Sequence, residues 1–169
     1  MAIMVPTAAS SDTTARARTA DRLWATIVGQ DLTFVLARAN ARAIATVNTV
    51  LSEYDLKVRS YSVLSLAADD ARPSQRELSE FLRLDPSQIV SLVDDLESRG
   101  LARREPDPTD RRANVVVVTD EGRVLHGRAR RAVERTEAAN FSGFSADDLE
   151  RLAELLRRLA SDAVEDASD

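Results

Sequence analysis

Two helix starts stand close together in the middle of the chain, and they constrain its fold more than any other feature. Pro73 is followed by Ser74-Gln75-Arg76-Glu77, an S-x-x-E capping box in which serine and glutamate satisfy each other's free backbone amides. Shortly after it, Asp85-Pro86-Ser87-Gln88 offers an acidic N-cap, a proline at the first helical position and a glutamine at N3. Leu78, Phe81 and Leu82 make the expected buried side of the first helix. In the second, Ile89, Leu92, Val93 and Leu96 recur at i, i+3, i+4 and i+7 until Gly100 stops it. With only Leu82 to Asp85 between them, the pair predicts a helix-turn-helix.

The period changes after Gly100. Residues 101–105 and 114–118 are strand-like, the second ending Val115-Val116-Val117-Val118, and turn-forming residues 106–112 lie between them. A hairpin directly behind a helix-turn-helix reads as a wing. Upstream, residues from Ala20 read as one long helix, with Leu32, Leu36, Ala39, Ala43, Val47 and Val50 at steps of three and four. It ends near Asp55, and residues 58–68 make a second helix. Downstream, Thr119 caps a helix to about Ala139. Ser145-x-x-Asp148 caps the last one, where Leu149, Leu152, Leu156, Leu159 and Ala163 form a coiled-coil-like seam. The fold class expected is mainly α, a winged helix-turn-helix with a small hairpin wing and a helical dimerisation region from both termini. Those apolar stripes are too extensive for a monomer of this length to leave open.

Composition removes several classes of function. With Cys 0 there is no thiolate nucleophile, disulfide, cysteine zinc site or thiol sensor, and His126 is the one histidine. We find no nucleophile elbow, phosphate loop or metal-ligand spacing, so neither an enzyme nor a metal or cofactor protein is expected. No apolar run reaches the roughly 18 residues of a membrane span, and residues 1–11 lack the order of a secretory signal, so the expected location is cytoplasmic. The net charge of -5 argues against nucleic acid only if evenly spread. Arg99, Arg103, Arg104, Arg111 and Arg112 outnumber Glu105, Asp107 and Asp110 around the wing, whereas the acids concentrate beyond Asn140.

The candidate DNA contacts follow. On the second helix Ser87, Ser91, Asp94 and Ser98 face away from the apolar stripe, with Gln88 and Val90 on its flanks. Serine and glutamine there can read base edges, glutamine being suited to adenine. Alone, that face is as readily an ordinary solvated one. The wing tips the balance, because Asp110, Arg111 and Arg112 at its tip, with Arg103 and Arg104 on the incoming strand, make a cationic projection suited to phosphate and the minor groove. Ser74 joins these candidates. The rival reading is a helical protein-interaction module that docks through the last helix and binds no DNA.

Residues 84–101, the wing 103–112 with its Asp110-x-Arg112, and Val118-Thr119-Asp120-Glu121-Gly122 together resemble the MarR family of winged-helix repressors, over roughly residues 31–161. The resemblance implies a homodimer on a pseudo-palindromic duplex, released by a small aromatic, phenolic or carboxylate effector. It departs from the family at Val90, Ser91 and Asp95, where Thr, Arg and a basic residue are common, so the second helix is not cationic and the wing carries the electrostatic load. An effector pocket between dimer helices and DNA-binding lobe would draw on Trp24, Arg38, Arg42, Tyr54 and Tyr61. His126 reads instead as a surface or interface residue. The implied organisation is a flexible tail over 1–19, a dimerisation helix over 20–53, the winged lobe over 54–122, dimerisation helices over 123–166 and a tail over 167–169.

Overall fold

The computed structural model of the chain describes residues 18–69, 71–107 and 113–161. They belong to two compact units that divide between Ile44 and Ala45. The first holds a helical stretch over residues 18–24 (α1), the short helix α2 (Ile27–Gln30), and the opening of α3 (Leu32–Leu51). One continuous helix from Ala20 is therefore not what forms. Thr26 is extended (φ -82°, ψ 164°) and its hydroxyl donates to the Leu23 carbonyl at 2.7 Å. Asp31 then accepts from the Thr33 and Phe34 amides at 2.8 and 3.2 Å and starts α3 afresh. Short polar side chains that bond their own neighbouring backbone compete with helix continuation, and apolar spacing does not register the competition.

The second unit carries the end of α3, a single 3-10 turn (Ser52–Tyr54), α4 (Val58–Ala68), α5 (Gln75–Leu82), α6 (Pro86–Ser98), β1 (Ala102–Pro106), β2 (Asn114–Val118), α7 (Asp120–Asn140) and α8 (Ala146–Ala160). Asn48 of α3 accepts from the Val58 amide at 2.9 Å, tying α3 to the first turn of α4. The core is built from Leu51 and Leu56, then Val63 and Leu64 of α4, Leu78 of α5, Ile89, Val93 and Leu96 of α6, Val116 and Val118 of β2, and Ala129 and Val133 of α7. All are buried. β1 and β2 pair antiparallel with Ala102 opposite Val118 and Pro106 opposite Asn114, and the Val116 amide donates to the Pro73 carbonyl at 2.9 Å. That bond docks the hairpin onto the chain entering α5.

Both capping boxes form as read. Ser74 and Glu77 exchange bonds at the start of α5, and Ser145 and Asp148 do so at the start of α8. Gly100 has φ 68° and lets the chain reverse after α6, with the Leu101 amide donating to the Leu96 carbonyl at 2.9 Å. That bond uses the Leu101 amide in the helix cap, so β1 begins one residue later than expected. Phe81 is a second correction. It is 75% exposed, because α5 packs through Leu78 and half-buried Leu82, and Phe81 lies about 60° round the helix on the other flank.

Apolar side chains remain uncovered in both units. Ile27 is 88% exposed and Leu32 78%, α8 buries no residue, and Leu155, Leu156 and Leu159 all stand in solvent. Between the end of α7 and α8 lies an open apolar cavity of about 440 Å³, lined by Phe141, Leu149, Leu152, Ala153 and Leu156 among others.

Candidate nucleic-acid interface

The start of α6 is made rigid by its own residues. Asp85 accepts from the Ser87 amide at 2.8 Å and from the Ser87 hydroxyl at 2.6 Å, and these bonds hold its carboxyl below the usual range. Ser87 has thus committed its proton and offers lone pairs outward. Ser91 likewise donates to the Ser87 carbonyl at 3.0 Å. Gln88 is exposed and its amide has no partner among the described residues, so both its donor and its acceptor are free for a base edge. Ser74 shares its hydroxyl with Glu77, giving a proton at 2.7 Å and accepting the Glu77 amide at 3.2 Å.

The two strand arginines part company. Side chains alternate along a strand, so Arg103 and Arg104 project from opposite faces of β1. Arg103 lies with Glu105, its Nε donating at 2.7 Å, and Arg72 takes the other Glu105 oxygen at 2.8 Å. The Arg103 side chain is 55% exposed and retains outward donors. Arg104 turns under the hairpin toward α6, where Asp94, Glu97 and Gln75 hold it. Period-two alternation was legible in the sequence, and it separates a pair that composition had grouped as one cationic projection. Asp110, Arg111 and Arg112 lie outside the described residues. Arg99, counted among the central cations, donates to the Asp55 carbonyl at 2.8 Å and the Tyr54 carbonyl at 3.2 Å, and so closes the turn before α4.

The effector candidates fall in both units. In the first, Arg38 sits 5.4 Å from the Trp24 ring centre, Phe34 meets Trp24 edge-to-face at 6.4 Å, and these side chains line an apolar cavity of about 340 Å³. Arg42 shares α3 with Arg38. In the second unit Tyr54 is half-buried beside Arg99, and Tyr61 stacks on His126 with ring centres 5.7 Å apart. The two tyrosines make no ring contact with each other among the described residues.

His126 corrects its sequence reading, for it is buried between α4 and α7 and not at the surface. Ser65 gives its proton to the Tyr61 carbonyl at 2.8 Å, so the imidazole Nε2 donates to Ser65 at 3.0 Å. Burial pushes the imidazole below its ordinary value; Asp69 opposes the shift and Arg130 and Arg123 add to it. On acidification through about pH 6.5 the unfolded chain takes up a proton that the folded chain refuses until lower pH. Stability is therefore full above that value and falls as the pH drops toward the depressed folded value. The loss should be roughly 1.4 kcal/mol per unit of depression. Melting curves between about pH 7.5 and 5.5 should show the decline, and His126→Gln should flatten it. An equal decline in the variant would assign it to other groups.

Residues 54–113 match the model of the MarR family. Among solved structures, the chain is similar to a MarR-family transcriptional regulator from Rhodococcus sp. RHA1, with 37% identity and a TM-score of 0.75 over 80% of this chain and 96% of that one. It is 38% identical to CouR from Rhodococcus jostii RHA1 bound to p-coumaroyl-CoA, with the same TM-score and coverage. A repressor CouR bound to a 23-mer DNA duplex is 30% identical, with a TM-score of 0.71 over 79% of this chain and 94% of that one.

Proposed function

This chain belongs to the MarR family of transcriptional regulators, and on that premise we propose that it is a homodimeric repressor. It binds a pseudo-palindromic operator in the cytoplasm and is released by a small aromatic or anionic ligand. One observation carries the DNA half of this reading: the capped, exposed polar start of α6, with the Gln88 side chain unpartnered among the described residues, in a chain similar over most of its length to a DNA-bound repressor. In this reading residues 54–122 form the DNA-binding lobe, with 20–53 and 123–166 as dimerisation regions. Ser87, Gln88 and Ser91 meet base edges, Ser74 and Arg103 meet the backbone, and Asp110, Arg111 and Arg112 complete the candidate DNA contacts.

The ligand half rests on the Trp24, Phe34 and Arg38 cavity, whose aromatic walls and single guanidinium suit a flat molecule with a carboxylate. Arg42 lies one turn further along α3 as a second candidate cation, and Tyr54 and Tyr61 are candidates within the second unit. A relative holding p-coumaroyl-CoA supports an aromatic acyl effector of some kind.

Duplex titration against competitor DNA at several salt concentrations tests the proposal. Gln88→Ala should relax preference at one base position, at about 1–3 kcal/mol. Arg112→Ala should weaken all duplexes alike and reduce the salt slope by roughly one unit. A wild-type chain without salt-sensitive, sequence-dependent binding would instead be a protein-interaction module.

A further inference from the structure

Arg104 is engaged through all three of its guanidinium nitrogens. Its Nε donates to Gln75 Oε1 at 2.9 Å, one terminal nitrogen to Asp94 Oδ1 at 2.6 Å, and the other to Glu97 Oε2. The Glu97 carboxylate also accepts the Arg104 backbone amide, at 3.0 Å. One acidic side chain of α6 thus holds β1 by main chain and side chain together, on the edge that β2 leaves unpaired. The Arg104 side chain is only 22% exposed, against 59% for that of Asp94 and 39% for that of Glu97. Gln75, in the first turn of α5, closes the network, so three elements of the lobe meet at one arginine.

We propose that Arg104 is a positioning residue that sets the wing against the recognition helix α6, with Asp94 and Glu97 as its seats, and that it is not a phosphate contact. One guanidinium between two carboxylates leaves the cluster net negative, which gives a phosphate no attraction. This also accounts for acids on a helix that enters the groove: they are spent on the wing's posture. A helix and a wing that must engage one duplex together gain from being held at a set angle beforehand, since a loose wing lowers its own effective concentration at the second contact. The role rests on the DNA-binding reading; the brace itself does not.

Charge and positioning predict opposite signs. Asp94→Asn and Glu97→Gln each remove a negative charge beside the DNA. If Arg104 were a phosphate contact restrained by these acids, either change would tighten duplex binding. As a brace, each change should weaken operator binding by roughly tenfold despite the more favourable charge, and Arg104→Met should weaken it at least as much. A DNA-free arm uses the absence of cysteine: spin labels at Ser98→Cys and Asn114→Cys, both exposed, report the spacing between α6 and the hairpin. Its distribution should broaden in Glu97→Gln and Arg104→Met, with unchanged helical circular dichroism. Tighter or unchanged duplex binding, or an unbroadened distribution, overturns the proposal. A wild-type protein that binds no duplex refutes the DNA-binding reading, and the label distances still judge the brace.

Discussion

Gly122→Ala should destabilise the protein by a net of about 2 kcal/mol and lower Tm by roughly 4–8 °C, although alanine is the better helix former by about 1 kcal/mol. Gly122 stands in the first turn of α7, its amide donating to the Thr119 hydroxyl at 3.0 Å. A methyl group there would overlap the Leu101 carbonyl oxygen and press on Val118 at 3.0 Å. The obstacle is backbone, and that carbonyl already accepts the Thr119 amide at 3.1 Å, so it cannot withdraw without loosening the junction of wing and α7. Gly127 in the same helix is the internal control. A methyl group there meets only the far end of Arg131, at 4.0 Å, so Gly127→Ala should stabilise by about 0.5–1 kcal/mol. Thermal melts of both variants check the pair. Equal signs would mean that close packing at Thr119-x-x-Gly122 does not decide the outcome.

The largest functional effect is expected where nothing touches DNA. Leu152→Glu with Leu156→Glu should convert a dimer into a monomer by sedimentation equilibrium and cut operator affinity by roughly 100-fold or more. Both leucines line the open cavity between α7 and α8 and are exposed in a single chain. Covering such a face is what a second copy would do, and two carboxylates placed there would have to be buried unpaired. Two recognition helices reach successive major grooves only when a scaffold holds them about 34–36 Å apart, so losing the scaffold removes one half-site from each binding event. The lobe core, Leu64, Ile89 and Leu96 among it, lies elsewhere, so the variant's helical signal should persist. A double variant that remains dimeric would place the interface on other surfaces.

Much of the lobe was legible because its signals are local. Ser74 with Glu77, Asp85 with Ser87, and Ser145 with Asp148 are bonds between residues at most three apart, and all form where the sequence places the helix starts. The apolar face of α6 was legible for the same reason, as Ile89, Val93 and Leu96 are all fully buried. Phe81 was misread because an apolar residue near a stripe is buried only if some neighbour reaches that far round the helix. The break at Thr26 was missed because apolar spacing reports which way residues face and not whether the backbone stays helical between them.

The division has a physical basis. By itself the sequence determined the order of elements from α4 to α8, the caps, the reversal at Gly100 and the face that α6 turns inward, since each depends on backbone geometry and partners a few residues away. Only the tertiary structure decided what the charges do. Arg103 and Arg104 are adjacent and chemically identical, yet one lies exposed beside Glu105 while the other is seated between Asp94 and Glu97. His126 could have stood at any surface, and it is buried because α7 crosses α4 at Ser65 and Tyr61. A side chain's charge acts through the groups within a few ångströms of it, and which groups those are is set by how helices and strands distant in sequence are packed together.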